Sequence, residues 1–134
     1  MDSVRLDVPA SAENLKKIRD FVRGYIDKRE ELESYKDEIV LAIDEACQNV
    51  VRHAYRDKDG NVAIKLSFQN KELIVCIEDD GIPVIPEKIK PRNIEDIKPG
   101  GLGTFFINQI MDSVSFQLTW PDWVNCLTMK KKIK

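Results

Sequence analysis

Apolar side chains at Ile39, Val40, Ile43, Cys47, Val50, Val51 and Ala54 return every three or four residues, the spacing that gathers one face of an α-helix. The pattern predicts a helix from Tyr35 to Tyr55, with Ser34 as its N-cap and Asp37 three residues on. A second stripe, Leu15, Ile18, Val22 and Ile26, predicts an earlier helix from about Ser11 to about Lys28. Val4, Leu6 and Val8 alternate with polar residues before Pro9, which predicts a short strand with one apolar face. Val62 to Phe68 and Leu73 to Glu78 read as a hairpin around Asn70-Lys71, the second strand apolar enough to be central. Thr104 to Met111 resumes a helix, and Val114 to Trp120 with Val124 to Met129 closes the chain as a hairpin through Pro121-Asp122. Between them, over about residues 82–100, periodicity is lost and Pro83, Pro86, Pro91 and Pro99 oppose any continuous element. So long a loop in a small domain is a candidate lid. The order of elements predicts helices layered on one face of a largely antiparallel sheet.

Composition narrows the partners. A chain of 134 residues with 43% apolar composition is enough for one domain, read as residues 1–134. With 21 basic and 23 acidic residues the formal charge is −2, so charge makes no case for nucleic acid, and Lys130-Lys131-Lys132 is too short a run to change that. No stretch approaches the eighteen or so apolar residues that span a bilayer, and the first ten residues hold no long apolar core. A cytoplasmic protein is expected. Cys47, Cys76 and Cys126 are far apart and set among apolar residues, which suits buried thiols and matches no zinc or redox spacing.

Candidate chemistry begins on the second helix. Spacing of four sets Glu45, Asn49 and His53, the only histidine, on neighbouring turns of one narrow stripe. At about 100° per residue Glu45 lies opposite the apolar face, while Asn49 and His53 swing towards its flank beside Ala42 and Ala46, small residues that leave room for an approaching group. Taken singly, these are also an ordinary solvated glutamate, a surface amide and a packed imidazole. Two further junctions join them. Asp79-Asp80-Gly81-Ile82-Pro83 ends a buried strand in carboxylates followed by a residue with no side chain. An ionised Asp only accepts hydrogen bonds, so it takes one from the exocyclic amine of adenine and repels the oxygen that guanine presents there. A strand-terminating turn is the plainer alternative. Gly100-Gly101-Leu102-Gly103-Thr104 opens into the third helix, where backbone N–H groups and the helix dipole suit phosphate, although a lid hinge would use the same glycines. No Gly-Lys-Ser/Thr ending follows, and Phe106 stands where a dinucleotide fingerprint needs its third glycine.

Together these boxes resemble the GHKL, or histidine kinase-like, ATPase superfamily, and most closely its anti-sigma factor serine kinase branch, across nearly the whole chain. The family's E-A-x-x-N-x-x-x-H-A-Y box is matched at every specified position from Glu45 to Tyr55, its D-x-G-x-P box at Asp79, Gly81 and Pro83, and its G-G-L-G stretch at Gly100, Gly101, Leu102 and Gly103. The resemblance implies a two-layer α/β sandwich of the Bergerat type, helices on one face of a mixed, largely antiparallel sheet, with ATP between helices and lid. It implies that Asn49 holds Mg²⁺, that Asp79 binds adenine, that Glu45 is the base, and that His53, Gly81, Gly100 to Gly103 and Thr104 belong with the nucleotide contacts. It further implies a homodimer that binds a sigma factor and phosphorylates a serine on a STAS-type anti-anti-sigma partner, with neither nucleic acid nor membrane as a direct partner. The chain departs from the family at Val84-Ile85-Pro86, where relatives often carry an aromatic-Asp-Pro run, and at Thr104-Phe105-Phe106. One of Lys88, Lys90, Arg92 and Lys98 would suit a phosphate contact, or all are solvated lid charges. A sequestering module without phosphotransfer, or the ATP-binding part of a histidine kinase-type system, are the competing readings; no dimerisation segment with a phospho-accepting histidine is seen before the domain.

Overall fold

The computed structural model describes residues 3–53, 60–81, 107–118 and 125–133, and within these the side chains of His53 and Leu118 are not described. Five strands form one sheet in the order β1-β2-β3-β5-β4, from β1 (Ser3–Pro9), β2 (Asn61–Gln69), β3 (Glu72–Asp79), β4 (Ser113–Leu118) and β5 (Asn125–Lys132). All four pairings are antiparallel, so the sheet is not mixed among the described residues. Two helices, α1 (Leu15–Asp27) and α2 (Lys36–His53), pack on each other and on the sheet, α1 against β2 and α2 against β3.

Strand alternation explains why the helices take one face. Successive strand residues point to opposite sides, and in β3 Leu73, Val75, Ile77 and Asp79 are buried while Ile74, Cys76 and Glu78 are only half-buried. Register places Ile64 and Leu66 of β2, then Val4 and Leu6 of β1, on the same inner side. Against them α1 buries Ile18, Val22 and Ile26, and α2 buries Ile39, Val40, Ile43 and Cys47. Each large aliphatic side chain removed from water contributes about 1.5–3 kcal/mol, and this shared core is what holds the two layers together. The outer side of the sheet is polar by contrast, with Arg5 bridging to Glu78 across the strand between them.

The β2–β3 hairpin turns at Asn70 and Lys71, whose φ values are 56° and 61°. Positive φ at both central residues defines the two-residue type I′ turn, whose twist matches the strands it joins. The predicted hairpin is present at the predicted turn.

Three local expectations are corrected. Ser34 does not cap α2: a 3-10 helix (Glu30–Tyr35) runs into it, and Lys36 at φ −55°, ψ −52° continues helical backbone where an N-cap needs extended geometry. The first helix likewise starts with a 3-10 turn (Ala12–Asn14) before α1, with Ser11 extended and the Asn14 amide donating to the Pro9 carbonyl and Ser11 Oγ. The final strand runs on through Lys130, Lys131 and Lys132, paired with Ile74, Leu73 and Glu72. Lys131 is buried, and its ammonium donates to the Ile110 carbonyl at 2.8 Å; it also lies 5.3 Å from the Tyr35 ring centroid. Lys131 is therefore structural, while the side chains of Lys130 and Lys132 are exposed.

Of the third predicted helix, residues 107–110 are described and helical, with Ile107 and Met111 in the core. Cys47 and Cys126 are buried and Cys76 half-buried, all three as free thiols. Burial, with the charge of Asp44 adding to it, pushes the Cys47 thiol up to about 12, so it is an inert core residue at neutral pH.

Candidate functional site

Asp79 is the last residue of β3, and the alternation that buries Leu73, Val75 and Ile77 carries it to the helix side of the sheet. Its neighbour Asp80 is exposed and holds the start of β2, accepting from the Asn61 backbone N–H at 2.9 Å. Two adjacent carboxylates thus have opposite surroundings: one clamps a strand, the other is aimed at the layer containing α2.

The environment of Asp79 is specific. Its Oδ1 accepts two hydrogen bonds, from the Asn125 side-chain amide at 2.8 Å and from the Gly81 backbone N–H at 3.0 Å. Among the described residues both of its hydrogen bonds fall on that one oxygen. Burial raises the carboxyl above its ordinary range; the bonds from Asn125 and Gly81 pull it back, and the charge of Asp80 raises it further. Asn125 faces Asp79 because the antiparallel register of β3 and β5 pairs the two positions, and it is itself 1% exposed. Sequence reasoning missed Asn125. The only signal available was a lone asparagine opening an apolar strand.

On α2, Glu45 and Asn49 are half-buried at the flank of the helix, and His53 is its last residue. Ala42 and Ala46 beside them are buried in the core. The preceding turn is tied down by Asp44, which accepts from Arg19 of α1 at 3.0 Å and from Gln48 at 2.7 Å. Gly81 follows Asp79, and its N–H is committed to that carboxylate. The His53 side chain, Gly100, Gly101, Leu102, Gly103, Thr104, the lid segment and its basic residues lie outside the described residues.

A buried carboxylate with one oxygen saturated and the other left as an acceptor fits a ligand that donates from an amine. No group of three His, Cys, Asp or Glu among the described residues could hold a metal ion.

Residues 8–131 match the model of the histidine kinase-like ATPase domain. The chain belongs to that family. Its ATPase relatives include the serine-protein kinases RsbW of Bacillus thuringiensis (strain Al Hakam) and Bacillus cereus (strain 03BB102), each 28% identical over 121 residues, covering 84% of this chain and 76% of the relative. Among solved structures, that of the RsbU and RsbW domains of Rv1364c from Mycobacterium tuberculosis superposes with a TM-score of 0.70 at 13% identity, over 99% of this chain and 33% of the other. The histidine kinase domain of the blue-light activated kinase from Erythrobacter litoralis EL346 gives 0.57 at 20% identity, over 94% and 62%. These structural likenesses establish the ATPase fold, an α/β arrangement with helices against an antiparallel sheet. No helix among the described residues is long and apolar enough to cross a membrane.

Proposed function

We propose that this histidine kinase-like ATPase domain is an anti-sigma factor serine kinase: it binds ATP with Mg²⁺, holds a sigma factor, and phosphorylates a serine of a STAS-type anti-anti-sigma protein, acting as a cytoplasmic homodimer. The observation that carries the nucleotide part is the Asp79 carboxylate, buried on the helix side with Oδ1 filled by Asn125 and Gly81. Oδ2 accepts the 6-amino group of adenine, and an oxygen at that position is repelled. The kinase part draws on the relatives named serine-protein kinase and on the presence of Glu45 one turn before Asn49.

In this reading Asn49 of α2 serves the triphosphate, and the backbone of the Gly100 to Thr104 segment is the further phosphate contact that the family resemblance implies. Magnesium, held by the Asn49 side-chain oxygen, would neutralise phosphate charge. Glu45 takes the proton of the partner's serine hydroxyl while that oxygen bonds to the γ-phosphorus; the bond from phosphorus to the β,γ-bridging oxygen breaks, and its electron pair leaves with ADP. General-base assistance of this kind is worth about 10²- to 10⁴-fold in rate. Positioning supplies much of the rest.

The test is incubation of the purified protein with Mg-ATP and candidate STAS-domain partners, followed by mass spectrometry of the partner. A single added phosphate on a serine is expected, and Glu45→Gln should retain ATP binding while lowering transfer by at least about 10². Binding of ATP by the wild type without modification of any partner would contradict the kinase reading and leave a nucleotide-dependent sequestering module.

A further inference from the structure

Asn125 is almost wholly buried, at 1% exposure, and its side-chain amide donates to Oδ1 of Asp79 at 2.8 Å. A buried amide is costlier to place than an aliphatic side chain of the same size unless its hydrogen bonds are needed. The need lies across the ladder. Asp79 is held by two neutral donors, the Asn125 amide and the Gly81 N–H; the one charged group acting on it among the described residues is Asp80, which is repulsive. Among the described residues no cation helps to keep it ionised.

We infer that Asn125 is a positioning residue for purine selection, its amide committing Oδ1 of Asp79 to the protein so that Oδ2 meets the ligand as an ionised acceptor. The inference rests on the nucleotide reading above and deepens it. A carboxylate that kept its proton would carry an O–H donor, which suits the 6-oxygen of guanine as well as any acceptor. Asn125 thereby guards both the direction and the protonation state of the group that tells the two purines apart.

Two variants of similar size make the claim testable through opposite pH slopes. Asn125→Leu removes a donor, so Asp79 protonates more easily: affinity for ATP should fall relative to wild type, and fall further at about pH 6 than at about pH 9. Asn125→Asp sets a second carboxylate against the first; the pair shares a proton at about pH 6 and repels at about pH 9, so affinity should fall as pH rises. In the leucine variant the preference for ATP over GTP should also shrink at the lower pH. Calorimetry with Mg-ATP and Mg-GTP reads all of this, alongside a thermal melt of each variant. Should the leucine variant not fold, the aspartate variant carries the test alone. The inference is overturned if the variants match wild type at both pH values, or if they lose affinity to the same extent at both. Absence of ATP binding by the wild type would instead overturn the nucleotide reading.

Discussion

Asp79 shows how one carboxylate can be set against its own fold. Its folded pKa is raised, so the unfolded chain releases this proton first as pH rises; between the ordinary aspartate value and the folded one the native state holds more protons, and stability falls with rising pH across that window. Above the folded value the cost remains. Asp79→Asn keeps an oxygen for the bonds from Asn125 and Gly81 and removes the charge, so at neutral pH the variant should melt no lower than wild type. Near pH 3, where both forms are neutral, the two melting temperatures should converge. Differential scanning of wild type and variant checks this directly, and a variant clearly less stable at neutral pH would mean that the ionised group stabilises the fold. The same substitution should weaken ATP binding, since it replaces an acceptor with a donor at the atom offered to adenine.

Elements differ in how much of themselves they announce. The three- and four-residue steps of α2 predict it because its buried face is continuous, and Ile43, at 1% exposure, is central to it. Ile43→Ala should cost about 2–5 kcal/mol, read as a lower urea midpoint with little change in slope. The β2–β3 hairpin was equally legible from two apolar runs around two polar residues, although Lys71 is an unusual occupant of left-handed backbone. Lys71→Gly should relieve that conformation and raise stability by about 1 kcal/mol, visible in the same titration. Ser34 was misread because local sequence cannot tell an N-cap from a residue inside a 3-10 turn that feeds the helix. Lys131 and Asn125 were hidden for a different reason. Each is explained by a partner many residues away, Ile110 and Asp79, through a strand register that no local periodicity encodes.

At the scale of the whole molecule, one sheet with helices on a single side pairs the end of β3 with the start of β5 and packs α2 against β3. The motif boxes were readable in the chain, and two of them now have positions: Glu45 and Asn49 on α2, Asp79 and Gly81 at the end of the central strand. Asn125 comes to face Asp79 through the crossover that inserts β5 between β3 and β4, a global property. The central claim is that the helix side of the sheet receives an adenine nucleotide through Asp79. Isothermal titration of the purified chain with Mg-ATP, and in parallel with Mg-GTP, tests it most directly: saturable heat is predicted for ATP, with GTP weaker by at least about tenfold. No heat from ATP, or equal affinity for the two purines, would contradict the account.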